Sequence, residues 1–202
     1  MRWLRLWLVL LLLLVSACTQ YELVAPGRIT LASGASVEAT AAWNRVNQPI
    51  AEGNVIVWTR NGPILDSIIF VTGVADGEPI FRRRPQPGGG TSRDEPVAPF
   101  RQAMTSLEIR QLFEDTVTRV YRTPIVTTHN LMPMWFAGGD GFRFEMSLTG
   151  RDEVERQGIV YGTVRDDRLF LIWFQGTQLF HYPQLSPEVE RLIGTLRFGP
   201  DA

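Results

Sequence analysis

One cysteine, two histidines and no lysine leave this 202-residue chain a short menu of side-chain chemistry. Cys18 stands directly after Val15-Ser16-Ala17. His129 or His181 would need a nearby serine or threonine, with a carboxylate behind the ring, to run a nucleophilic hydrolysis. No Gly-x-Ser-x-Gly elbow occurs to supply that nucleophile. All twenty basic residues are arginine, which excludes Schiff-base chemistry, a lysine general base and a phosphate-loop lysine. Without a thiol beyond Cys18, cysteine nucleophiles and zinc–thiolate centres are excluded too, and two histidines with no repeated spacing argue for no metal. The acidic pairs Glu114-Asp115, Asp152-Glu153 and Asp166-Asp167 have no spacing that would make two carboxylates converge across a cleft, so solvated surface is expected. The expectation is a non-enzymatic chain with neither cofactor nor metal. A hydrolase using His129 or His181 is an alternative.

The N-terminal segment carries an address. Arg2 and Arg5 precede an unbroken apolar run from Leu6 to Val15, and small residues come next, which is the layout of a secretory signal. The run is too short to span a bilayer, which takes about 20 apolar residues. Val15-Ser16-Ala17-Cys18 resembles the lipobox of bacterial lipoproteins. That resemblance implies cleavage between Ala17 and Cys18, a diacylglycerol on the thiol, and a cell-envelope protein bound to the membrane through its lipid. Thr19 stands where an aspartate would retain such a protein at the inner membrane, so the periplasmic face of the outer membrane is favoured. A single acyl chain binds weakly, with a constant on the order of 10⁴ per molar, while two or three anchor stably. Residues 1–17 then form the signal and residues 18–26 a lipidated tether. From Thr19 to Pro26 such a tether reaches at most about 25–30 Å, keeping the domain near the leaflet.

From Cys18 onward 185 residues remain, enough for one well-buried domain over residues 27–202. The leader holds two of the twenty basic residues and none of the twenty-one acidic ones, which leaves a formal charge of −3. That balance gives no electrostatic case for nucleic acid.

Short strands dominate the remainder of the chain. Asn54–Arg60 ends at the turn Asn61-Gly62-Pro63, and Ile64–Val74 continues as a mostly apolar strand, together a hairpin. Arg82–Pro99 carries four prolines, three consecutive glycines and the run Arg82-Arg83-Arg84, the composition of a loop. Thr105-Ser106-Leu107-Glu108 fits a capping box. Leu112, Phe113, Thr116, Val117, Val120 and Tyr121 then share one helical face up to the stop at Pro124. Ile125–Phe136 is extended and Gly138–Gly141 is a turn. Phe142, Phe144, Met146 and Leu148 alternate with polar residues as in a half-buried strand. Gly158–Arg165 and Arg168–Gln175 form a hairpin across Asp166-Asp167. Leu169–Phe174 is apolar throughout, as a strand covered on both faces should be. Ser186-Pro187-Glu188 reads as the opening of a second helix, with serine as N-cap and proline at the first position.

Strands, helix, strands, helix make an α+β single domain, an antiparallel sheet of roughly seven strands with two helices packed on it. This layout, with the pair Trp43-Asn44 and the closing run Val189-Glu190-Arg191-Leu192-Ile193-Gly194-Thr195-Leu196, resembles the Mog1/PsbP-like α+β family over Arg28–Phe198. The resemblance implies a binding or assembly module rather than an enzyme. Met132, Met134, Trp135 and Phe136 run into a glycine-rich turn, where methionine and aromatics suit an adaptable contact surface. Together with Arg82, Arg83 and Arg84 they are the candidate face for an envelope protein partner. A carrier of an apolar ligand between sheet and helices is a further alternative.

Overall fold

The computed structural model describes residues 20–84, 97–123 and 125–199, so Ala17 and Cys18 lie outside it, as does most of the Arg82–Pro99 segment. Its strands are β1 (Tyr21–Val24), β2 (Gly27–Thr30), β3 (Ala35–Ala39), β4 (Trp43–Val46), β5 (Ala51–Glu52), β6 (Val55–Thr59), β7 (Asp66–Val74) and β8 (Arg82–Arg83). The helix α1 (Ser106–Tyr121) is next. Then come β9 (Ile125–Phe136), β10 (Gly139–Thr149), β11 (Glu155–Arg165), β12 (Arg168–Thr177), the helix α2 (His181–Gly194) and β13 (Arg197–Phe198). Among the described residues the main sheet is eight-stranded, ordered β1-β4-β6-β7-β12-β11-β10-β9 and antiparallel throughout. The count is one more than the roughly seven expected, and one strand lies within the stretch expected to be the lipidated tether: Tyr21–Val24 pairs with β4 as an edge strand.

Each face of the sheet has its own core, because alternate side chains of a central strand point opposite ways. In β12, Leu169, Leu171 and Trp173 join the core under α1, while Ile172 and Phe174 join the one under α2. All nine residues of β7 are buried, as double coverage requires. Phe142, Phe144, Met146 and Leu148 are all buried toward α1, as their alternation predicts. The turns obey local chemistry. Asp166 and Asp167 both adopt positive φ (49° and 59°), the geometry a two-residue hairpin demands. The β9–β10 turn falls on Ala137-Gly138, both also at positive φ, and Gly139–Gly141 already belong to the strand.

Helix α1 starts where the capping box places it. Thr105 Oγ1 accepts from the Glu108 amide and Glu108 reaches back to the Thr105 amide. The Thr105 amide (2.7 Å) and hydroxyl (2.8 Å) both donate to Glu108 Oε2 and hold its carboxyl below the ordinary pKa. Helix α2 begins five residues before Ser186, and Pro187 sits inside it. Here Thr177 takes the capping role: its Oγ1 accepts from the His181 amide at 3.3 Å. Pro183 falls in the first turn, where its missing N–H would have had no intrahelical partner anyway. Trp43 and the residues Val189, Leu192, Ile193 and Leu196 of the closing run share one core.

Edge strand β9 is irregular. Asn130 (φ 53°) and Leu131 together oppose the single residue Phe144, a β-bulge, and Pro133 lies three residues past Asn130.

Candidate functional site

Helix α1 buries Ile109, Leu112, Phe113, Thr116, Val117 and Val120 against the sheet and stops at Tyr121, turned off by Arg122 in the left-handed conformation (φ 51°). The helix is shorter than the sheet face it covers. Beyond its last turn the sheet residues Val57, Ser67, Leu148 and Gln175 floor a cavity of about 410 Å³. Its walls are the Gln48–Ala51 segment, the Pro63-Ile64 turn and the Gly150–Asp152 turn, with Tyr121 and Thr123 as the α1 side and Gln20 at the margin. The volume falls within the usual few-hundred-Å³ range of small-molecule sites.

The expected loop arginines hold this wall in place. Arg83 Nη1 donates to the Val120 carbonyl at 2.8 Å, satisfying a group left free at the helix end. The Arg84 amide donates to the Ile50 carbonyl (2.7 Å) and its Nε to the Pro49 carbonyl (3.1 Å). Arg82 and Arg83 pair as β8 with β5, so the triplet begins as strand rather than loop.

Two polar residues interrupt the apolar floor. Gln175 and Ser67 are direct partners across β12 and β7, and both are buried. Gln175 is 4% exposed, yet its Oε1 has no hydrogen-bond partner. An unsatisfied buried amide of this kind costs about 1–3 kcal/mol, a penalty that a bound donor would relieve. The Tyr121 hydroxyl is pushed far above its ordinary pKa by burial and stays neutral. Thr123 Oγ1 is occupied by the Thr149 carbonyl.

The most deeply buried charge in the walls is neutralised on the spot. Arg156, with 6% of its side chain exposed, donates Nη2 to Asp152 Oδ2 (2.6 Å), Nη1 to Oδ1 (3.1 Å) and Nε to the Ile64 carbonyl (2.8 Å). That pairing holds the Asp152 carboxyl at about 2. Because this lies below the ordinary value of about 3.9, the unfolded chain binds the proton more readily between those limits. The pair's stabilisation is therefore complete above about pH 4 and disappears as pH falls toward 2. Side-chain carboxyl NMR titration should find Asp152 near 2, and Arg156→Met should return it toward about 4. An unchanged midpoint in the variant would show that Arg156 is not the cause. Asp152 is 41% exposed, so solvent screening keeps the energetic effect small.

Neither histidine lines the cavity. His129 lies on edge strand β9, 52% exposed, with Nε2 3.4 Å from Glu145 Oε2. The serine nearby in that ladder, Ser147, exchanges its hydroxyl hydrogen bond with Thr127 at 2.7 Å. His181 opens α2 with Nδ1 2.7 Å from Thr177 Oγ1 and its ring against Phe180. Among the described residues no group of three or more His, Cys, Asp or Glu side chains could hold a metal.

The Met132–Phe136 segment divides. Trp135 is 71% exposed and Met132 is exposed, Met134 packs partly against the α2-side core, and Phe136 is buried against Tyr161. Phe136 is thus core and not a contact residue, because the alternation of β9 turns it inward beside Met134. Nor does this segment adjoin Arg82–Arg84. It lies on the last strand of the sheet, whereas the arginines pair with β5, which comes after β4 near the other edge.

A large antiparallel sheet bearing one helix on each face is the PsbP-like α+β fold, as the resemblance implied. The chain is similar in structure to the cyanobacterial PsbP protein (CyanoP) of Synechocystis sp. PCC 6803, at 12% identity and TM-score 0.52, over 91% of this chain and 95% of that one. It also aligns with LpqN of Mycobacterium tuberculosis, a protein involved in cell envelope biogenesis, at 7% identity and TM-score 0.35, over 92% and 87% of the two chains. No protein-family model matches the chain, and no curated protein is similar to it in sequence. At 12% identity the likeness to CyanoP is one of fold.

Proposed function

We propose that this chain is a lipid-anchored bacterial envelope protein, held through Cys18 at the periplasmic face of the outer membrane. Its domain serves as a non-catalytic binding module of an envelope assembly. The lipobox-like Val15-Ser16-Ala17-Cys18 supports the anchor. The observation that carries the binding role is the cavity at the end of α1, mainly apolar but floored by Gln175 with an unanswered amide oxygen. Such a site suits an apolar ligand bearing one hydrogen-bonding group. This favours the carrier form of the module over one that works only through an exposed face.

The test is recovery of small molecules with the purified mature protein, wild type against Gln175→Leu. The variant should retain about tenfold less of any co-purifying amphiphile, as loss of a buried hydrogen bond predicts. Its thermal stability should hold or rise, since an orphaned amide is replaced by an apolar side chain of similar size. A wild type that carries nothing, or a variant that binds equally well, overturns the reading of the cavity. The anchor is read separately. The N-terminal peptide of wild type should carry a diacylglyceryl mass on Cys18, and Cys18→Ser should shed the protein, with its crosslinked envelope partners, from the membrane.

A further inference from the structure

Three turns meet at one end of the sheet, and two of them, Pro63-Ile64 and Gly150–Asp152, wall the cavity. The Thr177 amide donates to the Leu65 carbonyl, the Gln178 amide to the Glu155 carbonyl, and Arg156 Nε to the Ile64 carbonyl. The 62–65, 150–155 and 177–180 segments are therefore side by side, and Ile125, paired with Thr149, adjoins them.

This end is unusually apolar on its outside. Ile64 (66% exposed), Ile125, Leu179 (92%) and Phe180 (61%) are mostly exposed there, with Leu65 and Val154 exposed over a little more than a third of their surface. Single exposed apolar residues need no explanation, but large ones gathered at one end mark a contact surface. Ile64 also lines the cavity, so the apolar rim and the cavity mouth are continuous.

The chain itself indicates what covers the rim. Gln20 lines the same cavity and Tyr21 is already hydrogen-bonded into the sheet. Only Thr19 separates Gln20 from Cys18, a length of chain that reaches at most about 7 Å. A lipid on Cys18 would hold the Gln20 side of the cavity near the headgroups.

We propose that this end of the domain is a membrane-docking face. Leu179, Phe180 and Ile64 enter the interfacial region of the bilayer that holds the anchor, and the cavity opens toward the lipid. The proposal rests on the reading of Cys18 as the anchored residue. Arg151 and Glu153 offset each other's charge in the middle turn, so attachment is by apolar contact and needs no anionic lipid.

Because Cys18 is the sole cysteine, Cys18→Ser gives a thiol-free background. In that background Leu179→Cys, or Val164→Cys at the far end of β11 about 30 Å away, takes an environment-sensitive fluorophore. The mature chain carries a hexahistidine tag in place of the leader and is held on phosphatidylcholine vesicles by a nickel-chelating lipid. The label at 179 should shift to the blue and be quenched by nitroxide lipids, while the label at 164 stays in water. An aqueous signal at 179, or equal responses at both positions, overturns the proposal.

A second measurement floats the untagged Cys18→Ser chain with vesicles. The double variant Leu179→Ser/Phe180→Ser should bind about tenfold more weakly, with the same result on phosphatidylglycerol vesicles. Equal flotation of the two proteins sinks the idea. Both substituted positions are exposed, so folding is not at stake. Neither measurement uses the native lipid. A failure of acylation at Cys18, seen by mass, is thus distinguishable from a failure of the docking face.

Discussion

Replacing Trp173 with alanine should lower the stability of the domain by about 3–5 kcal/mol, the range for truncating a large buried aromatic. The indole is fully buried at the middle of β12. Its ring meets Phe113 at 5.2 Å, Tyr121 at 5.6 Å and Phe81 at 6.4 Å, which brings α1, its last turn and the Phe81 segment onto one side chain. Since whole domains are stable by only about 5–15 kcal/mol, the loss is large enough to lower the melting temperature by roughly 10 °C. Tyr121 also lines the cavity, so the void left by the indole opens toward it and binding should weaken as well. Trp173→Phe is the informative control. It keeps an aromatic ring and removes an indole N–H that has no partner, and should cost less than half as much. Urea denaturation of the three proteins checks this. A loss under about 1 kcal/mol for Trp173→Ala would mean that the α1 layer is not pinned there.

The second large effect is expected at Asp66, a carboxylate 1% exposed at the start of β7. Its Oδ1 accepts from the Arg60 amide (2.7 Å), and its Oδ2 from the Asn61 amide (2.9 Å) and Asn61 Nδ2 (2.8 Å). These bonds close the turn that joins β6 to β7. Hydrogen bonds to a charged group contribute about 1.5–3 kcal/mol each but act together here, so Asp66→Ala should cost about 3–4 kcal/mol. Asp66→Asn should fall between, because its NH₂ would face donors where the carboxylate faced them with oxygen. The loosened turn carries Pro63 and Ile64, part of the cavity wall. Hydrogen exchange at Arg60 and Asn61 should therefore accelerate together with a loss of ligand retention. Protected amides in Asp66→Ala would contradict this account of the turn.

How much of the fold was legible in the sequence depends on how local each signal is. Helix α1 ends at Tyr121, three residues before the expected stop at Pro124, but its start was readable to the residue because its capping box is written within its own stretch. The Asp166-Asp167 hairpin was readable for the same reason. The start of α2 was not: Ser186-Pro187-Glu188 mimics a helix opening, while the group that caps the true start, Thr177, belongs to the preceding strand. Strand β1 escaped because four residues at a sheet edge, three of them exposed, show no useful alternation.

The cavity is a product of tertiary structure, a mismatch in length between α1 and the sheet beneath it. Yet one trace of it was on view. Leu169, Leu171 and Trp173 define the α1 face of β12, and the next residue on that face is the polar Gln175. The arginine run misled for a related reason. Its composition reads as solvated, but carbonyls supplied by α1 and the Pro49-Ile50 segment claim Arg83 and Arg84.

The two sheet margins bear on how these molecules tolerate crowding. A bare strand edge is a template on which another copy can grow. At one margin β1 is only four residues long, and at the other the bulge at Asn130-Leu131 and the missing N–H of Pro133 break the row of donors. Among the described residues, neither margin of the main sheet offers a ladder long enough to propagate strand to strand. If Cys18 is anchored as proposed, copies confined to two dimensions at high local density find no long ladder at these margins along which to zip into fibrils.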